Sequence, residues 1–230
     1  MAKLGWSEIF RRKARCRPVQ ELAVPTWELI KEAINAEDNK EALELVDHCH
    51  FENLTYHDVL LSIINALFLT LVDKSGEEAI ERFWRARFEP KMADWLESCK
   101  TAEDTVERVS EAHRARFSDI TIYEETDRYV VKCDPCFSTR LSQSIETGAT
   151  QKAYPWSWNR AGVPYYCVHC GLIHEILPIE IRGYPIGVID VPDKQSQICF
   201  QYFYKSPELI PEKYFTRLGK KKDVSKFKQG

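Results

Sequence analysis

Apolar residues recur at helical spacing through the first half of the chain and change to alternation near residue 117. Thr26 is placed to cap a helix through WELIKEAI. Asp38 with Glu41 opens EALELVDHC, and Thr55 with Asp58 opens VLLSIINALFLTLV. Ser75 with Glu78 does the same for EEAIERFWRARF, which Pro90 ends, and Thr101 with Asp104 starts a helix through Arg114. In each pair a side-chain oxygen accepts from an amide that the first helical turn leaves free, and the acidic residue suits the positive end of the dipole. Residues 56–72 are apolar on nearly every side, which predicts a helix at the centre of a bundle.

SDITIYEE and DRYVVKC alternate, with a turn at Thr126–Asp127, and predict a hairpin. Residues 137–164 carry little pattern, and so long an irregular connection is often functional. EILPIEIRG, YPIGVIDVP and SQICFQYFYK predict three further strands, with turns at Arg182–Gly183 and Asp193–Lys194, and Pro207 and Pro211 mark an exit loop. The expected fold class is α+β, an N-terminal helical bundle packed against a C-terminal antiparallel sheet. The segments are a basic N-terminal stretch (1–19), a helical half (20–115), a β half (116–212) and a basic tail (213–230). No Gly-, Ser- or Pro-rich linker separates the halves, which favours one domain.

A hydrophobic share of 44% over 230 residues is enough for a real core. The most apolar run, residues 59–72, is 14 residues long and falls short of the roughly 20 that span a bilayer. With no signal-like opening, the expectation is a soluble, cytoplasmic protein without a membrane partner. The net charge of −3 is uneven. Residues 1–20 hold six Lys/Arg against one Glu, and residues 213–230 hold seven against one Asp, which leaves a body of −14. So acidic a body argues against a nucleic-acid footprint and favours a small-molecule partner; homo-oligomer formation stays open.

Eight cysteines without an export signal are no disulfide framework. Four form two pairs, Cys133/Cys136 in VVKCDPC and Cys167/Cys170 in YYCVHCG. Each CxxC turn lets two thiolates converge, and two turns complete a tetrahedral sulfur site of the kind zinc favours. The motif CDPC…CVHCG resembles the paired knuckles of zinc-ribbon proteins, over four ligands and one glycine. The metal site is what the resemblance implies here, because the spacer is longer than in a compact ribbon. An iron–sulfur cluster on the same cysteines is the alternative cofactor. Cys199 is an alternative fourth ligand, and His169 and His174 lie within reach of the second pair. A redox role is disfavoured, because neither CxxC is expected at the start of a helix. Cys16, Cys49 and Cys99 are expected simply to pack.

A carboxylate beside a zinc-bound water is the usual proton acceptor in metal-assisted hydrolysis, which singles out Glu175 and Glu180, with His174 as ligand or base. Trp156, Trp158, Tyr165 and Tyr166 are candidates for a substrate pocket. His48, His50, His57 and Asp58 are poorly spaced for a second metal. Glu77, Glu78 and Glu81 with Arg82, Arg85 and Arg87 read as a solvated helix face. No phosphate loop, HExxH or GxSxG is present. Two functions follow. The favoured one is a small-molecule hydrolase that cleaves an amide or ring C–N bond with metal-activated water. The alternative is a non-enzymatic ligand-binding or interaction module with a structural zinc.

Overall fold

A computed structural model describes residues 4–15, 22–136, 148–190 and 198–227. The turn expected at Asp193–Lys194, Cys16 and part of the irregular stretch lie outside them. The chain is α+β, as its pattern of hydrophobic residues requires. It divides into two compact units, residues 1–59 and 60–230.

The first unit pairs β1 (Gly5–Ser7) with β2 (Arg12–Ala14) and contains α1 (Thr26–Asn35). Leu4, Leu29, Ala33, Ala42 and Leu45 form its core. Thr26 is not the cap of α1. Pro25 holds that position, and the Thr26 hydroxyl donates to Glu52 instead (2.7 Å). Asp38 does accept from the Glu41 amide (3.0 Å), at the start of α2 (Asn39–Ser75).

The helix break expected at Thr55 is absent. Helix α2 runs unbroken for 37 residues, with neither glycine nor proline inside it, and the Thr55 hydroxyl back-bonds to the Phe51 carbonyl (2.9 Å). Nor do residues 56–72 form a bundle centre. Leu61, Asn65 and Phe68 form a buried stripe, while Tyr56 (65% exposed), Ile63 (51%) and Leu67 (61%) face outwards. By length and composition α2 is long and apolar enough to cross a membrane, beyond the 14-residue run read from the sequence.

In the second unit, α3 (Glu78–Phe88) ends just before Pro90, and α4 (Met92–Glu97) and α5 (Ala102–Arg114) follow. Thr101 and Asp104 form the expected capping box. Ser75 does not cap α3. The sheet has the order β3-β4-β6-β5, all antiparallel: β3 (Ile120–Glu124), β4 (Arg128–Cys133), β5 (Val188–Asp190) and β6 (Cys199–Tyr204). Thr126 and Asp127 turn the β3–β4 hairpin as expected. Along β6, Cys199, Gln201 and Phe203 point inwards, and Cys199 sits opposite Cys133.

EILPIEIRG is helical, not a strand. A short α-helical turn (Val168–Cys170) leads into a π-helical segment (Gly171–Ile176) and the helix Leu177–Arg182. Alternation misled because Leu177, Ile179 and Ile181 are two apart. The buried set is Leu172, Glu175 and Ile176, while Ile181 is 43% exposed. Pro178 falls in the first turn of its helix, where no N–H is needed. Gly183 ends it at φ 93°, a left-handed C-cap that favours glycine.

Candidate functional site

The second cysteine pair does not form a knuckle. Cys167 closes a 3-10 turn (Tyr165–Cys167) and Cys170 ends the helical turn that follows, so this CxxC does open a helical run. Gly171 is itself helical. A Cβ there would lie 3.0 Å from the Trp158 ring, so the glycine serves close approach of helix and loop. Cys133 ends β4 and Cys136 follows a bend through Asp134–Pro135.

These four thiols and Cys199 gather in one buried region. Cys136 hydrogen-bonds Cys133 and, with burial and nearby thiols, pushes the Cys133 pKa up. Burial raises Cys170 and Cys199 well above the usual thiol range, helped by charge on Cys136 and Cys167. Cys133, Cys170 and Cys199 are therefore held protonated. Among the described residues, no group of three or more His, Cys, Asp or Glu side chains is placed to hold a metal ion.

Glu175 does not line the cavity described below. It is fully buried and accepts from Arg217 (2.8 Å), Trp158 Nε1 (2.7 Å) and the Ile189 amide (3.0 Å). Burial raises its carboxyl pKa, and Arg217 and Trp158 oppose that. With every contact a donor, the carboxylate is ionised and ties the helix to β5. Glu180 sits at the surface, paired with Arg85 (2.9 Å) and Lys220 (2.9 Å). Neither carboxylate faces the thiols or the cavity with a free oxygen, contrary to the role expected for them.

The aromatic loop is core rather than pocket. Trp156, Trp158 and Tyr165 are buried, and Trp156 stacks on Tyr154 with ring centroids 4.4 Å apart. Burial is favourable because their polar ends find internal partners. Trp158 meets Glu175, and Tyr165 donates to Glu77 (2.8 Å). Glu77, read from sequence as solvated, is buried and accepts also from Tyr154 (3.0 Å) and the Gln151 amide (2.6 Å). Burial opposes ionisation there, yet these hydrogen bonds hold its carboxyl below the usual range. His48 and His57 are each taken by a nearby carboxylate on α2, Glu52 (3.1 Å) and Asp58 (3.3 Å).

A cavity of about 380 Å³ opens beside the thiols, between the end of α3, α4, α5 and the helical run from residue 169 to 174. That volume is of ligand-pocket size. Phe88, Met92, Trp95, Val109 and Ile173 supply apolar wall, and His113, His169, His174, Cys170 and Gln201 the polar floor. His113 reaches the floor because it continues the buried stripe of α5 (Thr105, Val106, Val109 and Ser110). Its ring bonds Gln201 (2.9 Å) and Ser118 (3.2 Å) and lies 3.7 Å from Cys133 Sγ. His169 donates from Nδ1 to the Tyr166 carbonyl (2.5 Å), so its Nε2, 3.4 Å from Cys170 Sγ, is an acceptor for that thiol.

Burial, the largest cause for each, lowers the pKa of His169 to about 4 and of His174 to about 3. Both are neutral near pH 7. Three buried polar atoms on this wall have no hydrogen-bond partner among the described residues: His174 Nδ1, Gln201 Oε1 and Trp95 Nε1. Of the residues expected to act, the structure brings His174 and Cys170 to the cavity and leaves Glu175, Glu180, Trp156, Trp158, Tyr165 and Tyr166 off its wall.

Trp95, Arg108, His113 and Gln201 are cavity residues that sequence reasoning missed. Two carried a signal: His113 and Gln201 are polar residues at inward positions of an amphipathic helix and an alternating strand. Comparison with family models, curated proteins and solved structures finds no match in any of the three.

Proposed function

We propose that this protein binds a small molecule in the cavity floored by His113, His169, His174 and Gln201. The observation that carries the reading is that the three residues His174, Gln201 and Trp95, each with a buried polar atom unpartnered among the described residues, all line one cavity. Leaving a buried polar group unpaired costs about 1–3 kcal/mol, so three such residues around one cavity mark where the fold keeps polar capacity unused. Ala112 also lines the cavity, so Ala112→Phe fills it without touching the polar floor. Ligand-observed NMR with a panel of neutral and charged aromatic fragments tests the reading. Fragments that bind the wild type should lose binding in Ala112→Phe. Equal binding by both proteins would sink the proposal.

The gathering of Cys133, Cys136, Cys167, Cys170 and Cys199 supports a second reading, a zinc ion held by four of them. Zinc would have to displace the thiol protons, so uptake should release protons and draw the sulfurs together. As a structural ion it would brace the cavity floor through Cys170. The hydrolytic version needs a base, and of the three residues expected for that part only His174 faces the cavity. Elemental analysis of the purified full chain, with X-ray absorption at the zinc edge, decides this. One zinc with four sulfurs supports it. A metal-free protein that releases no protons on zinc titration removes it, and visible absorption with bound iron would move the site to an iron–sulfur cluster.

A further inference from the structure

The cavity has a charged entrance as well as a polar floor. Among the described residues Arg87, Lys91 and Arg108, with Arg116 beside them, line it against one acidic residue, Asp94, in a protein whose net charge is −3. Charges of one sign at the mouth of a low-dielectric cleft concentrate the opposite ion there. The Arg108 guanidinium lies 5.0 Å from the centre of the Trp95 ring, which carries a cation to the edge of the buried wall.

Deeper in, the walls are flat rings. Trp95 and His174 lie with centroids 6.3 Å apart, and Phe88 and His169 with centroids 6.4 Å apart. Aromatic walls of this kind favour a flat occupant. Among the described residues no carboxylate lines the interior to meet a ligand cation, because Glu175 turns to Arg217.

Resting on the reading of this cavity as a ligand site, we infer that its ligand is a small planar anion. Its acidic group meets the Arg87–Arg108 entrance, and its ring lies against the rings of Trp95 and His174. The entrance then selects the charge and the floor selects the ring.

Isothermal titration of the full chain at low ionic strength with three matched probes tests this: 4-hydroxybenzoate, 4-hydroxybenzamide and 4-hydroxybenzylamine. The anion should bind about tenfold tighter than the neutral amide, and the amine weakest. That advantage should collapse in an Arg87→Gln/Arg108→Gln double variant and return in Arg87→Lys/Arg108→Lys. Both arginines are exposed, and thermal unfolding of each double variant should match the wild type. It should also shrink as salt is added. An amide that binds as tightly as the acid overturns the anion inference and leaves the ligand site standing. A preference for the amine overturns it in the same way. No binding by any of the three probes overturns the anion inference, and the fragment panel with Ala112→Phe decides the ligand site separately.

Discussion

His174 and Glu175 are neighbours in one π-helical segment and are buried alike, at 5% and 0% exposed, yet their surroundings are opposite. Glu175 faces β5 and meets donors from Arg217, Trp158 and Ile189. His174 lines the cavity, and its buried Nδ1 has no partner among the described residues. A fully satisfied buried charge is a fixture, whereas an orphaned polar atom at a cavity wall waits for a partner from outside. The difference separates scaffold from site across the width of a single helix. Such π-helical segments often accompany function, and this one aims adjacent side chains into two different layers.

The sharpest way to break the comparison is on the scaffold side. Arg217→Met leaves Glu175 buried without its cation, and stability should fall by about 3–5 kcal/mol in urea unfolding. A loss under about 1 kcal/mol would mean that Glu175 is held by its other donors and is not charged in the fold. Trp158→Phe removes one hydrogen bond from the same carboxylate while keeping most of the ring, and should cost about 1–2 kcal/mol.

On the cavity side the sign reverses. His174→Leu removes an orphan nitrogen rather than a contact, so stability near neutral pH should change by less than about 1 kcal/mol while fragment binding is lost. The pH dependence sharpens this. The His174 pKa is about 3 in the fold, against an ordinary value of 6.5, so the unfolded chain takes up a proton first. Its contribution is fully kept above pH 6.5 and is lost as pH falls towards 3, at about 1.4 kcal/mol per pH unit. Chemical unfolding of His174→Leu between pH 4 and 6.5 should show that much less acid sensitivity than the wild type. Identical slopes would mean that His174 titrates normally. The smallest effect belongs to Glu180→Gln. Its pairs with Arg85 and Lys220 lie at the surface, and their loss should cost under about 1 kcal/mol with no change in fragment binding.

The elements that were legible in the sequence are those whose information is local. The Thr101/Asp104 box, the Pro90 stop, the β3–β4 hairpin and the inward Cys199–Gln201–Phe203 alternation each sit within a few residues. The misreadings share one cause. EILPIEIRG satisfies a period of two and a helical period equally well over so short a span, and only the neighbours that bury Glu175 but not Ile181 decide between them. The apolar stretch 56–72 told of hydrophobicity and not of how much apolar surface would face it.

The sequence by itself determined the α+β class, the helix starts at Asp38 and Thr101, the stop at Pro90 and the presence of paired cysteines, because capping, turn chemistry and alternation act between near neighbours. The tertiary structure alone decided which polar groups are satisfied and which are left over. Glu77 finds Tyr165 and Glu175 finds Arg217 across 88 and 42 residues. His174 and Trp95 line one cavity, each with a buried ring nitrogen that has no partner among the described residues. Satisfaction of a buried polar atom depends on what the rest of the chain brings to it, and no local pattern encodes that.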